Sequence, residues 1–353
     1  MISEESILKA LSHVEDPDLK KDLVTLGMIR DLKISENSVS FVVMLTSPAC
    51  PMKDMLENAC RNSIQHFVSN DIDINITMSS EVGSQKKVSN LLSGIKNTIA
   101  VASGKGGVGK STVAAGLASV LQKSGAKVGV LDADIYGPSI PILFGKENSE
   151  IEMVVVDGIE LMKPIEADGI KLFSIGFLSK PNEAVVWRGP MVSQAIKQFM
   201  TGVSWGELDY LIIDLPPGTG DVQLTLVQNI PLTGAVIVST PQRLAVADAR
   251  KACAMFKIPA VNVDILGVIE NMSYFIPKDK PEEKYHIFGT GGAEILCSEF
   301  QTELLGKLPI EHEIMTESDT GKINSEKNVR IFSEIAGRMV QQIAIRNANT
   351  ATS

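Results

Sequence analysis

Between Gly104 and Ser111 the chain reads GKGGVGKS, two lysines set among four glycines. The spacing G-x-x-x-x-G-K-S is that of a loop that wraps phosphate. Glycines let the backbone turn so that several N–H groups face inward, and the helix that follows adds the positive end of its dipole. In such a loop Gly104, Lys105, Gly106, Gly107, Val108, Gly109, Lys110, Ser111 and Thr112 surround the phosphates. Lys110 reaches the β and γ phosphates, and the Ser111 hydroxyl ligates Mg²⁺. The segment follows the apolar run NTIAVAS and opens the helical pattern STVAAGLASVLQKSG, the context that separates a phosphate loop from a glycine-rich turn. Lys105 is more than the loop requires. It is either a solvated charge or a cation that acts on a phosphoryl group in trans, as an arginine finger does.

Carboxylates follow at the ends of two further apolar runs. VLDADIYGPS carries Asp132 and Asp134, and LIIDLPPGTGD carries Asp214 before a loop built from Pro216, Pro217, Gly218 and Gly220. Ligands bind outside the carboxyl ends of strands in open α/β sheets, so these positions suit chemistry, although each residue alone also reads as a buried structural aspartate. In VIENMSYF, Asn271 offers a side-chain amide, a residue type that turns also favour.

The elements that must position these groups are legible in the hydrophobic pattern. From residue 97 onward, apolar runs (TIAVAS, KVGVLDAD, LDYLIIDL, GAVIVST, DILGVIE) alternate with amphipathic helical stretches. That alternation predicts an α/β fold with a mostly parallel sheet covered on both faces. Residues 1–78 read as a separate small α+β module. They carry a helix over Ser6 to Val14, strands over Asp31 to Ser35 and Ser38 to Leu45, a helix over Pro51 to Phe67, and a strand over Ile72 to Met78. Residues 79–96 lack periodicity and read as a linker, residues 97–346 as the α/β domain, and residues 347–353 as a frayed tail.

Composition limits the partners. The chain has 353 residues, 44% hydrophobic, with 33 Lys and Arg against 42 Asp and Glu, a formal net charge of -9. An acidic chain without a long basic run argues against nucleic acid and anionic membrane as partners. No apolar run reaches a membrane span and the first residues do not form a secretory signal, so a cytoplasmic location is expected. Cys50, Cys60, Cys253 and Cys297 are too scattered for a disulfide framework and contain no C-x-x-C pair. Cys50 lies in SPACP, where the N-terminus of a helix starting at Pro51 is expected to lower its pKa. Cys253 reads as core. The four histidines are dispersed, with His286 alone near a plausible interface.

GKGGVGKST resembles the deviant phosphate loop of the MinD and ParA class of P-loop ATPases. The resemblance implies ATP and Mg²⁺ as cofactors, a face-to-face homodimer and Lys105 reaching the partner subunit's nucleotide. It also implies that Asp134 positions the attacking water, that Asp132 and Asp214 serve Mg²⁺, and that Asn271 binds adenine. DADIYGPSIP, WRGPMVSQAI, WGELDYLIIDLPPGTGDVQLTL, STPQRLAVADARKACAMF, ENMSYF and IFGTGGAE together are similar to the Mrp/ApbC group of iron-sulfur carrier ATPases. HVEDPDLKKDLVTLGMI and LTSPACPMKD resemble the SufT-like iron-sulfur assembly domain that precedes the ATPase in that group. The implied activity is ATP-dependent transfer of a cluster, 4Fe-4S by the resemblance, to apo iron-sulfur proteins.

One departure stands out. Many members carry C-x-x-C between NMS and IFG, whereas this chain reads YFIPKDKPEEKYH there, as in the cyanobacterial and chloroplast high-chlorophyll-fluorescence-type branch. A cubane needs about four thiolates, so a homodimer must supply about two per subunit or borrow from a client protein or glutathione. Cys50 and Cys297 are the candidate ligands. Two other readings stay open: a positioning ATPase of the MinD or ParA type, and a scaffold ATPase that lost cluster binding with its C-x-x-C.

Overall fold

A computed structural model describes residues 3–35, 37–83, 92, 94–178, 194–195 and 198–351. The WRGPM segment, for which the sequence suggests no role, lies outside them. The chain divides into two compact units, one of residues 1–84 with 340–353 and one of residues 85–339.

In the first unit, α1 (Glu4–Leu11) is capped by Ser3, whose hydroxyl accepts the Ser6 N–H while Ser6 Oγ accepts the Ser3 N–H. A short antiparallel pair, β1 (Glu15–Asp16) and β2 (Lys21–Asp22), leads to β3 (Ile29–Ile34) and β4 (Ser38–Leu45). Then come α2 (Lys53–Phe67) and β5 (Asp73–Ser80). The sheet order is β3-β4-β5, antiparallel then parallel. Strict alternation in β4 buries Val39, Phe41, Val43 and Leu45 together with Ile7 and Leu11 of α1 and Leu56 and Ile64 of α2. Ser63 Oγ, donating to the Ala10 carbonyl at 2.6 Å, ties the two helices together.

The second unit opens with β6 (Ile95–Ala102), α3 (Lys110–Lys123), β7 (Val128–Asp132) and the short α4 (Ile140–Leu143). A hairpin, β8 (Met153–Val156) and β9 (Ile159–Met162), precedes β10 (Ile165–Ala167), β11 (Ile170–Ser174) and β12 (Leu208–Asp214). The remaining elements are α5 (Asp221–Asn229), β13 (Gly234–Ser239), α6 (Arg243–Lys257), β14 (Ile265–Tyr274), α7 (Gly292–Phe300), β15 (Leu304–Pro309), α8 (His312–Asp319) and α9 (Glu326–Ala351).

The main sheet runs β10-β11-β7-β12-β6-β13-β14-β15, and only β10 is antiparallel to its neighbour. Its central strands are buried almost throughout, as a parallel sheet covered on both faces requires. The connection from β6 runs to one side, to β7, and that from β12 to the other, to β13. The crevice this leaves at the strands' carboxyl ends is where open α/β sheets bind ligands. Helix α3 approaches α9 so closely that a Cβ on Gly116 would lie 2.6 Å from the Phe332 ring.

Several boundaries differ from the sequence reading: α1 spans Glu4–Leu11 where Ser6 to Val14 was expected, β3 spans Ile29–Ile34 where Asp31 to Ser35 was, and β5 spans Asp73–Ser80 where Ile72 to Met78 was. α2 begins at Lys53, not Pro51, because Met52 is the N-cap residue. The stretch read as a linker over residues 79–96 yields its first two residues to β5 and its last two to β6, since strand pairing continues beyond the apolar pattern. The tail read as frayed from residue 347 is helical to Ala351 as the end of α9. Among the described residues no helix is long and apolar enough to cross a membrane.

Candidate functional site

The loop between β6 and α3 carries the site. Gly107 and Gly109 hold φ of 79° and 81°, the left-handed region that glycine occupies without strain. Gly104 is needed for another reason: a Cβ there would overlap the backbone of Asp248 in α6. Across the loop, Asn271 at the end of β14 donates from Nδ2 to the Val108 carbonyl at 2.9 Å, and its Oδ1 accepts the Met272 N–H at 2.9 Å. Its amide is thus bonded to protein, bracing the phosphate loop. The family resemblance had implied a partner in adenine.

Lys110, only 6% exposed, turns inward. Its Nζ stands 2.5 Å from Asp214 Oδ1, 3.5 Å from Asp134 Oδ2 and 3.4 Å from Ser111 Oγ. Strand register sets this arrangement, because Asp214 of β12 pairs with Asp132 of β7 on one side and Val101 of β6 on the other. Asp214 is fully buried and Asp134 8% exposed. Asp214 Oδ2 and Asp134 Oδ1 have no hydrogen-bond partner among the described residues. Burial raises the Asp134 pKa, opposed by the Lys110 ammonium.

Asp132 differs from its neighbours. Its Oδ1 accepts the Asp134 N–H at 3.1 Å, and its Oδ2 accepts the Ile140 N–H at 3.1 Å and the Ser174 hydroxyl at 2.9 Å. Burial, then the charge of Asp214, pushes its pKa up to about 7. With three protein donors on its carboxylate, Asp132 shapes the segment from Asp134 to Ile140. The Mg²⁺ role that the family resemblance implied for it does not fit this arrangement.

A cavity of about 780 Å³ opens over the loop. Lys105, Gly106, Gly107, Gly109, Lys110, Ser111, Thr112, Asp134 and Asn271 line it, and Gly104, Val108, Asp132 and Asp214 do not. Ile142 and Leu143 of α4, Met272, Pro309, Ile310 and Ile314 line it too, interspersed with Glu311, Ser318 and Asp319. Charged and apolar groups in one cavity suit a ligand that carries both phosphates and a flat base. The wall residues near Pro309 were not legible as site residues, since KLPIEHEIM carries no motif. Ser174 was likewise missed, for its tie to Asp132 spans 42 residues. Glu270 was missed although it adjoins Asn271. It is fully buried, accepts the Ser273 hydroxyl at 2.6 Å and the Ala293 N–H at 2.9 Å, and so fastens the start of α7 to β14. Lys105 is half-exposed, and its ammonium has no partner among the described residues.

Cys50 and Cys60 belong to the first unit, and Cys253 and Cys297 to the second, where these two lie close enough for their charges to interact. Burial raises the Cys50 pKa, with a further push from Asp18 and Asp16, so the lowering expected from α2 is reversed. The helix starts beyond Pro51, and the dipole effect fades within about one turn. Burial also pushes Cys60 and Cys253 up to about 12 and Cys297 up to about 11. Among the described residues, no group of three or more His, Cys, Asp or Glu side chains could hold a metal ion. The cysteine-free interval is closed by a bridge between Phe275 and Tyr285, and His286 Nδ1 donates to the Ser273 carbonyl at 3.1 Å.

Residues 94–344 match the family model of the NUBPL iron-transfer P-loop NTPases. The chain belongs to that family. Residues 4–74 match the model of the iron-sulfur cluster assembly proteins, so both units have recognised relatives. The iron-sulfur cluster carrier protein of Synechocystis sp. is 45% identical over 91% of each chain. The chloroplastic Fe-S cluster assembly factor HCF101 of Arabidopsis thaliana is 43% identical over 97% of this chain and 64% of the plant protein. A solved nucleotide-binding protein from Archaeoglobus fulgidus, in complex with ADP, is 43% identical with a TM-score of 0.58, covering 67% of this chain and 90% of its own. The phosphate loop of this P-loop NTPase therefore lies within the family match, as do Asp134, Asp214, Asn271 and Cys297. Cys50 lies within the assembly-protein match.

Proposed function

We propose that the protein is a nucleotide-switched carrier that binds an iron-sulfur cluster and delivers it to apoproteins. The carrier proteins among its relatives support the cargo, and the loop geometry supports the nucleotide. One observation carries the nucleotide reading: Lys110, Ser111 and Asp134 line a cavity that also offers apolar side chains, and Asp214 pairs with Lys110 beneath it. The loop N–H groups would hold the phosphates of ATP, and Met272, Pro309 and Ile310 would offer apolar surface to its base.

Mg²⁺ fits the donor set. Asp214 Oδ2 and Asp134 Oδ1 are buried oxygens without partners among the described residues, Ser111 adds a hydroxyl, and all are hard ligands. When bound, the metal neutralises charge developing on the transferred phosphoryl group. Ser111 and Asp214 hold it, and Asp134 orients water. Lys110 binds the β and γ phosphates, and Lys105, without a partner among the described residues, reaches the nucleotide of a second copy in a homodimer. Nucleotide turnover relaxes the loop after Asp214 and changes the dimer face, which gates the cluster.

The cluster is cargo, held by thiolates from both copies, with Cys297 and Cys50 the available ligands. Anaerobic reconstitution of wild type, Cys50→Ala and Cys297→Ala tests this, scoring iron, sulfide and visible absorption per dimer. A cluster in wild type that either substitution removes is the expected result. No cluster in wild type, with intact ATPase activity, overturns carriage. That outcome would favour a scaffold ATPase, a second reading that the raised pKa of all four thiols supports.

A further inference from the structure

We propose that Lys110 stands in for a divalent cation in the resting protein, so that nucleotide binding is an exchange in which the phosphates draw the ammonium out and a metal ion takes its place. The inference rests on the nucleotide-site reading above and adds an order of events to it.

The ammonium of Lys110 is surrounded by oxygen alone: Asp214 Oδ1 at 2.5 Å, Asp134 Oδ2 at 3.5 Å and Ser111 Oγ at 3.4 Å. Two carboxylates and a hydroxyl form the donor set that a hard divalent cation selects. Lysine fills it incompletely, because a single positive charge faces two buried carboxylates and leaves Asp214 Oδ2 and Asp134 Oδ1 without partners among the described residues. Both atoms are buried, the Asp214 side chain completely and the Asp134 side chain to all but 11%, so water does not compensate them freely.

Phosphate contact asks the same ammonium to leave. Lys110 lines the cavity, whereas Asp214 does not, so its move toward phosphates is a move away from that carboxylate. Departure alone strands Asp214 and Asp134 as buried, uncompensated neighbours, with Asp132 also close enough to Asp214 for their charges to interact. Removing one partner of a buried ion pair is strongly destabilising. A metal entering as the lysine leaves relieves this. Two consequences follow. The wild-type protein excludes a divalent cation when no nucleotide is present, because the site is already filled. Nucleotide without metal binds poorly, because nothing replaces the lysine. Coupled ligands of this kind typically strengthen each other about 5–150-fold.

The test uses Mn²⁺ alone as the probe, read by electron paramagnetic resonance on the full chain without nucleotide. Lys110→Met keeps the length of the side chain and removes its charge. The expected result is no saturable Mn²⁺ site in wild type, one site per chain in Lys110→Met, and loss of that site in Lys110→Met/Asp214→Asn. Circular dichroism establishes folding, and Mn²⁺ should raise the melting temperature of Lys110→Met but not of wild type. Should Lys110→Met fail to fold, Asp214→Asn alone serves: freeing the lysine should raise the affinity for ATP in EDTA about tenfold or more. Equal Mn²⁺ binding by wild type and Lys110→Met overturns the exchange, as does a folded Lys110→Met without Mn²⁺ or a double variant that retains it. An unchanged or weaker ATP affinity of Asp214→Asn in EDTA overturns it too. ATP·Mg²⁺ binding by wild type, measured separately, shows whether the nucleotide reading fails instead.

Discussion

Gly109 marks how tightly the loop is specified. Its φ of 81° is costly for any residue with a Cβ, and a Cβ there would overlap Asn271 Nδ2. Gly109→Ala should therefore lose about 1–2 kcal/mol from the left-handed backbone alone, break the Asn271 brace on Val108 and weaken nucleotide binding more than tenfold by fluorescence titration. Lys105 makes the opposite case. Because it is half-buried and without a partner among the described residues, Lys105→Ala should leave stability within about 0.5 kcal/mol and nucleotide affinity intact, while hydrolysis falls about 10³-fold in a steady-state assay. A parallel loss of affinity would refute the role in trans. The thiols give a pH dependence. Burial raises the Cys297 pKa to about 11, so the reactive thiolate is scarce at neutral pH and grows as pH rises. Alkylation of Cys297 in the native chain should climb roughly tenfold per pH unit between pH 8 and 10. It should stay slower than in the unfolded chain throughout, as followed by mass spectrometry.

At the scale of elements, what was legible followed from local pattern. The alternation in β4, the apolar runs of the central strands and the loop between β6 and α3 are each written in a few consecutive residues. What was not legible depends on residues far apart in the chain. Asn271 meets Val108 across 163 residues, so no local signal says that its amide braces the loop. Asp132 looked like its neighbours in LDAD, and only the hydroxyl of Ser174 and the N–H of Ile140 distinguish it. Cys50 misled for a related reason, since burial outweighed the helix terminus that the sequence placed beside it. The packing of α3 on α9 is equally non-local. Gly116→Val would drive a branched side chain into the Phe332 ring and should cost about 1–3 kcal/mol by overpacking. A lower urea midpoint with unchanged m-value would register it. No change in midpoint would mean that α9 yields there.

For the whole molecule, the division into units follows contacts and departs from chain order. Residues 340–353 group with the first 84 residues, although they follow directly on a stretch of α9 that belongs to the second unit. The side chain of Gln341 donates to Asp18, which sits close enough to Cys50 for its charge to raise the thiol's pKa. Deleting residues 340–353 should increase hydrogen exchange at the Asp18 and Leu19 amides, which bond to Asp16, and leave exchange in the central strands of the second unit unchanged. Faster exchange throughout both units would refute this partition. The shared helix also sets a timetable for biosynthesis. Domains tend to fold as they emerge from the ribosome, N-terminal first. Here the first unit to emerge can collapse around Phe41 and Leu56, yet its last helical segment is translated only after the whole second unit. The phosphate loop is thus made in the nascent chain before the neighbourhood of Cys50 is complete, and that thiol gains its final surroundings only once residues 340–353 have been added.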